Sequence, residues 1–575
     1  GLKTLTVINN TQKLVRKKNK NFDIEKISYE DQKVFDLMST GKTVGLFQIE
    51  SAGMRDALIQ MKPNHIEDII ALVALYRPGP MSNIPTYNDC KHGKQKPDYL
   101  HPLLEDILKP TYGVIIYQEQ VMQIAQKLSG FTAGQADLLR RAMGKKKRAE
   151  LEKQKQGFIA GAVKNGIAKD VAAGIFLKIE PFAEYGFNKS HAAAYAIISY
   201  QTAFLKTYYP KEFIAASMTM DISNQNKLSE FYEELKRLNV EVVRPDINEC
   251  FADFRTIDNK FYYALGGIKA VGYEAISNIV EERILNGKFE SIHDFINRVN
   301  PKDINKLQLE GLVKAGAFDK LNSNRKSLYD TIPNIIAKNK NIFDNKSANQ
   351  IDLFSEDESD QEDNLIKTED WKFEERLSKE FEAVGFFISD HPLNQFIEFF
   401  NDYKITDYSS FNSKEDLKTT NIAATLLKVQ ERKTAKGNSY AVLKLTDLSS
   451  VFELFIFSDV LELNREILKE GSSLILTLFK NISNDENRLT RINVQKIASL
   501  KDLFNSPINE VSFELNSEEQ IEKISSILND EGKTVVNINL VNGDNVLKFK
   551  LKNPRKLDRK SLNLLRNQEI QAIIN

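Results

Sequence analysis

The sequence predicts a multidomain protein that is mainly α-helical at first, then an all-β barrel, then a small α+β domain. Three observations carry that reading. At 575 residues the chain is too long for one hydrophobic core, and about 150 residues per domain suggests roughly four units. Up to about residue 215 the apolar positions recur at helical spacing, as in Ile66, Ile69, Ile70 and Val73, and in Ile159, Val163 and Ile167. From about 418 to 500 the pattern changes to alternation, notably over 440–446 and 452–457, with turn residues at Lys436, Gly437 and Asn438.

Taken in order, residues 1–215 form the helical part, and 216–400 begin with a short strand-like stretch at 261–265. Two helical segments follow, opened by Gly272 and closed near Gly316. Residues 338–370 are polar and strongly charged, an acidic linker interrupted by the apolar island 351–354. The barrel occupies 401–503. The α+β domain, 504–575, has strands expected at 535–541 and 546–551 and a helix at 517–528.

Composition excludes several classes. Apolar residues make up 42% and charged residues 27% of the chain, and no apolar run approaches the ~20 residues that span a bilayer. The only cysteines, Cys90 and Cys250, lie outside any CxxC spacing, so neither a disulfide framework nor a cysteine zinc site is expected, and a reducing cytoplasm fits. The start, Gly1-Leu2-Lys3, has no initiator Met and no signal-like stretch, as a partial chain would show. Net charge is +0, but residues 1–210 carry 30 basic against 20 acidic side chains, leaving 49 against 59 for the rest. A basic first part points to a polyanionic partner.

The sharpest basic cluster follows Thr132, which with Gln135 has capping-box spacing. The helix it opens is expected to end at Gly144, with Arg140, Arg141, Lys145, Lys146 and Lys147 at its carboxyl end. Cations there complement the helix dipole. They also suit a triphosphate or phosphodiester clamp, because arginine forks match phosphate oxygens and Arg141 and Lys145 share a face. A second segment sets Asn188, Lys189, Ser190 and His191 in a turn before a small-residue helix. Its N-terminus suits a phosphate; in the structural alternative Ser190 caps the helix and His191 sits in its first turn.

Five strings in one order, GLFQIESAGMRD (45–56), ALYRPGPM (74–81), PTYGVIIYQEQVMQIAQ (110–126), LLRRAMGKKK (138–147) and GFNKSHAAAYAIISYQTAFLK (186–206), resemble the fingers of the bacterial DNA polymerase III alpha family, the C-family replicative DNA polymerases. The resemblance extends from the fingers to the end of the chain. It implies that Arg140, Arg141, Lys145 and Lys146, with Lys189 and His191, face the incoming deoxynucleoside triphosphate. In that family the catalytic aspartates holding two Mg²⁺ ions belong to a palm lying before these strings. No Asp-x-Asp occurs here, so no catalytic or metal-binding residue is assigned, and the chain alone is expected not to polymerise.

Further along, Lys269 and Gly272 in GIKAVG, with the later Gly316-Ala317-Phe318-Asp319, resemble the paired helix-hairpin-helix of the same family, which offers backbone N–H groups to a DNA phosphate. The barrel resembles the OB-fold that follows there, making Arg432, Lys433, Lys436 and Tyr440 the candidates for single-stranded DNA. Phe452, Phe455 and Phe457 are expected in its core. The island Gln350, Ile351, Asp352, Leu353 and Phe354 resembles the pentapeptide that docks on the sliding clamp. The resemblance further implies primer-template DNA as partner and a clamp-loader subunit meeting the terminal domain. The rivals are an error-prone translesion relative, which shares the fingers, and a non-catalytic nucleic-acid-binding protein built of hairpin and OB modules.

Overall fold

The computed structural model describes residues 2–144, 148–347, 365–414, 416–434, 437–482, 490–542 and 545–574. These fall into two compact units, Gly1–Gly267 and Ile268–Asn575. Among the described residues, no helix is long and apolar enough to cross a membrane.

The first unit is helical. Its opening helices are α1 (Lys3–Arg16), α2 (Gln32–Ser39), α3 (Ala52–Met61), α4 (Ile66–Leu75) and α5 (Ile84–Lys91). In α4 the expected stripe is only part of what is covered: Ile69 and Ile70 are buried, Ile66 and Val73 half-buried, and Ala71, Leu72, Ala74 and Leu75 are buried as well, while Glu67 and Asp68 occupy the first turn, where the helix dipole favours anions. A second set, α6 (Glu105–Leu108), α7 (Gln118–Ser129), α8 (Ala133–Gly144), α9 (Arg148–Lys164) and α10 (Lys169–Tyr185), shares a core that includes Val121, Leu128, Leu139, Phe158 and Phe176. Gly161 permits this packing, because a Cβ there would stand 2.2 Å from the Ser129 carbonyl oxygen. Ile167, expected on a helix with Ile159, lies beyond the end of α9 and is buried all the same.

Three further helices complete the unit: α11 (Lys189–Tyr208), α12 (Pro210–Met220) and α13 (Gln225–Arg237). Residue 215 falls inside α12, and the compact unit continues to Gly267. Buried Lys206 of α11 reaches Glu234 of α13 at 2.7 Å and donates to the carbonyls of Lys42 and Val44. A small sheet follows, β1 (Val242–Val243), β2 (Arg255–Ile257) and β3 (Lys260–Tyr262), in the order β1-β3-β2. Asp258 and Asn259, at φ 47° and 67°, make the tight turn that joins β2 to β3. The strand expected at 261–265 is therefore shorter and shifted, since Leu265–Gly267 is a 3-10 turn.

In the second unit, α14 (Tyr273–Asn286), α15 (Ile292–Arg298), α16 (Lys306–Lys314), α17 (Arg325–Ser347) and α18 (Phe373–Val384) come first. Arg325 ties three of them together. Its guanidinium meets Asp319 at 2.7 Å and Glu380 of α18 at 3.5 Å, and it donates to the Lys314 carbonyl. Short helices α19 (Ile397–Phe400) and α20 (Tyr408–Ser413) lead to an antiparallel sheet of β4 (Thr419–Lys433), β5 (Ser439–Thr446), β6 (Val451–Phe457), β7 (Ser473–Ile482) and β8 (Thr490–Ser499). Between β6 and β7 lies α21 (Ser458–Asn464), and α22 (Leu500–Asn505) follows β8. The strand order is β6-β5-β4-β7-β8. Long β4 pairs with β7 through its first half and β5 through its second, and a bulge between Leu426 and Lys428 bends it from one partner to the other. The expected barrel is an open sheet among the described residues: β6 and β8 are its edges and share no hydrogen-bonded ladder.

The terminal sheet contains β9 (Glu510–Leu515), β10 (Glu531–Asn542), β11 (Asn545–Lys550) and β12 (Gln571–Ile574), ordered β11-β10-β9-β12, with α23 (Glu518–Ile527) and α24 (Arg559–Asn567). Parallel β9 and β10 are joined through α23. Strand β11 is an edge, and its Val546, Leu547 and Phe549 are exposed.

Candidate nucleic-acid interface

Helix α8 begins as its sequence dictates: Thr132 N–H donates to Gln135 Oε1 at 2.9 Å and Gln135 N–H returns a bond to Thr132 Oγ1 at 3.3 Å. That places Arg140 and Arg141 toward its end. Both are held by one carboxylate, Asp137, which Arg140 Nη2 meets at 2.7 Å and Arg141 Nε at 2.8 Å. The Arg140 hydrogen bond, with the charge of both arginines, holds Asp137 below the usual carboxylate range. Arg141 is the more exposed, at 62% against 30% for Arg140. Arg140 Nη1 also lies 3.5 Å from Gln118 Oε1 at the start of α7. Lys145 and Lys146 lie outside the described residues.

The start of α7 also organises α11. Gln118 N–H donates to the Phe187 carbonyl at 3.0 Å, and Phe187 N–H donates to the Ile116 carbonyl at 3.0 Å. Asn188, not Ser190, caps α11, accepting from His191 N–H at 2.8 Å. The N–H of Lys189 is taken by the Glu119 carboxylate, at 3.1 Å to Oε1 and 3.0 Å to Oε2, so the expected phosphate position at this helix start holds a protein anion. Lys189 Nζ pairs with Glu67 at 3.0 Å and stands 5.3 Å from the Tyr117 ring centroid. His191 stacks on Tyr195 at 4.6 Å and meets Phe187 edge-on at 5.4 Å, while the Arg77 guanidinium covers Phe187 at 4.6 Å.

Arg140 and the backbone N–H of Lys189 thus meet two adjacent residues, Gln118 and Glu119, while the Lys189 ammonium pairs with Glu67 and His191 packs on Phe187 and Tyr195. Sequence reasoning did not single out Arg77, Gln118, Glu119 or Glu67, although Arg77, Gln118 and Glu119 stand inside the quoted strings. The available signal was polar residues at a helix start in an otherwise apolar run.

In the second unit Gly272 is the N-cap of α14 and no side chain caps that helix. Lys269, Gly272, Tyr273 and Glu274 are exposed around it. Lys269 is anchored by its N–H, which donates to the Ala383 carbonyl at 2.9 Å, and its carbonyl packs on Gly311 of α16. The α14 start therefore presents bare backbone to solvent, with Glu274 as an opposing charge.

On the five-stranded sheet the register sets Arg432 beside Tyr440, Tyr440 beside Phe457 and Val442 beside Phe455. Phe455 is 52% and Phe457 60% exposed, against 6% for Phe452. The expectation that all three are core is corrected: a strand alternates faces, and Phe452 differs in parity from the other two. Lys433 is exposed beside Arg432. Arg432, Tyr440, Phe455 and Phe457 share one face, of which the sequence reading had Arg432 and Tyr440 but not the two open rings, while Lys433, one residue on, belongs to the other face. Lys436, and Gln350, Ile351, Asp352, Leu353 and Phe354, lie outside the described residues. No group of three or more His, Cys, Asp or Glu side chains able to hold a metal ion occurs among the described residues.

A helical unit with cations at the starts and ends of neighbouring helices, followed by a bare helix start and an aromatic sheet face, makes a modular protein whose exposed groups are of the kinds that nucleic-acid-binding proteins use. Residues 4–166 match the bacterial DNA polymerase III alpha subunit finger domain, and residues 239–328 match a helix-hairpin-helix motif. Over 490 residues the chain is 40% identical to the DNA polymerase III subunit alpha of Caulobacter vibrioides, covering 85% of this chain and 43% of that protein. The protein of the same name from Rickettsia bellii is 39% identical over 577 residues, covering 94% and 49%, and that of Campylobacter jejuni 41% over 483 residues, covering 82% and 40%. The chain belongs to the bacterial DNA polymerase III alpha family, and it spans about half the length of the curated relatives it matches.

Proposed function

We propose that the full-length protein is a replicative DNA polymerase subunit that extends a primer with deoxynucleoside triphosphates on a DNA template. In this reading the present chain supplies the fingers that hold the nucleotide. The observation that carries it is that Arg140 and the start of α11, which bears Lys189 and His191, are both bound to the first turn of α7, at and beside a stretch that matches the finger domain. Arginine forks suit the oxygens of a triphosphate, and a cation near the leaving pyrophosphate acts most as charge develops there. Mg²⁺ ions held by carboxylates elsewhere in the full-length protein neutralise that charge further.

Arg140→Ala and Arg141→Ala in the full-length polymerase are expected to lower kcat/KM for the nucleotide by about 100-fold, with smaller changes in primer-template affinity. Unchanged nucleotide kinetics in both variants would reduce these arginines to partners of Asp137.

The rest of the chain acts on DNA and on other replication proteins. Lys269 and the N–H groups after Gly272 hold a backbone phosphate, and the sheet of residues 401–503 acts as an OB-fold on single strands. Gln350, Ile351, Asp352, Leu353 and Phe354 dock on the sliding clamp, and residues 504–575 meet a clamp-loader subunit. The relatives' names favour replication over translesion synthesis, and the finger match disfavours a non-catalytic binding protein. Titrating a clamp with a 347–356 peptide, and with its L353A/F354A form, tests the docking element. Equal binding of the two peptides would remove it.

A further inference from the structure

We infer that Glu119 is a positioning residue for the triphosphate, holding the start of α11 in register with Arg140; this rests on the reading of the fingers given above. One oxygen does most of the work. Glu119 Oε1 accepts from the Asn188 side-chain amide at 3.0 Å and from Lys189 N–H at 3.1 Å, and Oε2 accepts from the same N–H at 3.0 Å. Asn188 in turn caps α11 through His191 N–H. The carboxylate therefore fixes the cap, and the cap fixes the direction in which Lys189 and His191 leave the helix.

The other half of the bracket is Gln118, one residue earlier. Its N–H holds the Phe187 carbonyl and its side-chain oxygen faces Arg140 Nη1. Consecutive residues of α7 thus face α8 on one side and α11 on the other, so a rotation of the first turn of α7 would move Arg140 and Lys189 out of register. Glu119 itself does not need to touch the nucleotide. Its position is half-buried, and the groups it binds are backbone and amide donors, which a neutral acceptor can also satisfy.

That last point sets the test. Single-nucleotide incorporation is measured for the full-length polymerase with Glu119→Ala, Glu119→Gln, Asn188→Ser and Arg140→Ala. Glu119→Ala is expected to raise KM for the deoxynucleoside triphosphate by about 10-fold while kcat stays within about threefold. Glu119→Gln is expected to restore KM to within about threefold, because its amide oxygen replaces Oε1. Asn188→Ser keeps a cap but loses the amide arm, and should raise KM by an intermediate factor, which keeps the test open if Glu119→Ala fails to fold. A rise in KM for Arg140→Ala with none for Glu119→Ala and Asn188→Ser would overturn the positioning role. Equal defects in Glu119→Gln and Glu119→Ala would also overturn it, since charge and not hydrogen bonding would then matter. An unchanged kcat/KM for Arg140→Ala would instead bring down the fingers reading itself.

Discussion

Arg325 lies so close over Gly316 that a Cβ at the glycine would stand 2.1 Å from Nη2. Gly316 sits at φ +81° just past α16, and Arg325 opens α17, so the junction depends on a missing side chain. Gly316→Ala must strain the backbone and also push the guanidinium from Asp319 and Glu380. We expect a loss of about 3 kcal/mol. Trp371, the sole tryptophan, packs on Tyr329 of α17 at 5.4 Å, so its fluorescence during urea unfolding reports on this region. An unchanged midpoint would refute the dependence.

Phe452 and Phe457 should respond oppositely to truncation. Phe452 stacks on Tyr408 at 3.9 Å and is buried, so Phe452→Ala is expected to cost about 3–5 kcal/mol of stability. Phe455→Ala and Phe457→Ala together should leave the melting temperature nearly unchanged and weaken single-stranded DNA binding by at least about 10-fold. Retained affinity in that double variant would exclude the rings as stacking platforms.

Lys480 is buried, and its ammonium donates to the carbonyls of Phe411 at 2.5 Å, Lys414 at 2.9 Å and Asn412 at 3.2 Å. It ties α20 and the residue after it to β7. Lys480→Met keeps the apolar stem and leaves three acceptors without their donor, which should cost about 3 kcal/mol. Circular dichroism melting of the strand signal measures it, and a variant as stable as the parent would show that the carbonyls find other partners.

Glu234 supplies a pH dependence. Burial alone pushes its carboxyl up, but hydrogen bonds from Arg237 and Lys206 prevail and hold it below the ordinary 4.5. The unfolded chain therefore takes up the proton first. Stability from this group is complete above about pH 4.5 and drains away as pH falls through the lower native value. Glu234→Gln should flatten the acid limb of the stability profile while lowering stability at neutral pH. An acid limb identical to that of the parent would assign the dependence to other carboxylates.

Local grammar in the sequence was enough for α8, because Thr132 and Gln135 satisfy each other within one turn. It was not enough for α11. Asn188 and Ser190 both suit an N-cap, and the choice falls to Asn188 where Phe187 pairs with the 116–118 stretch and Glu119 takes the Lys189 N–H, contacts some 70 residues away in sequence. The carboxylate of Glu119 that meets the expected phosphate position at that helix start is invisible to a local reading for the same reason. The three phenylalanines were a different kind of error, since parity alone separates Phe452 from Phe455 and Phe457. Pairing of Arg140 and Arg141 with Asp137 was readable from i,i+3 and i,i+4 spacing, whereas the approach of Arg140 to Gln118 needed the packing of α7 on α8.

Strand β11 has a consequence for handling the protein at high concentration. Among the described residues it pairs with β10 alone, and Val546, Leu547 and Phe549 stand open on it. An apolar edge of this kind invites a further strand, including one from another copy. Solubility of the purified chain should therefore be limited by edge-to-edge self-association and not by unfolding. A single Lys at Leu547 should raise the concentration at which the chain stays monodisperse and leave its melting temperature alone.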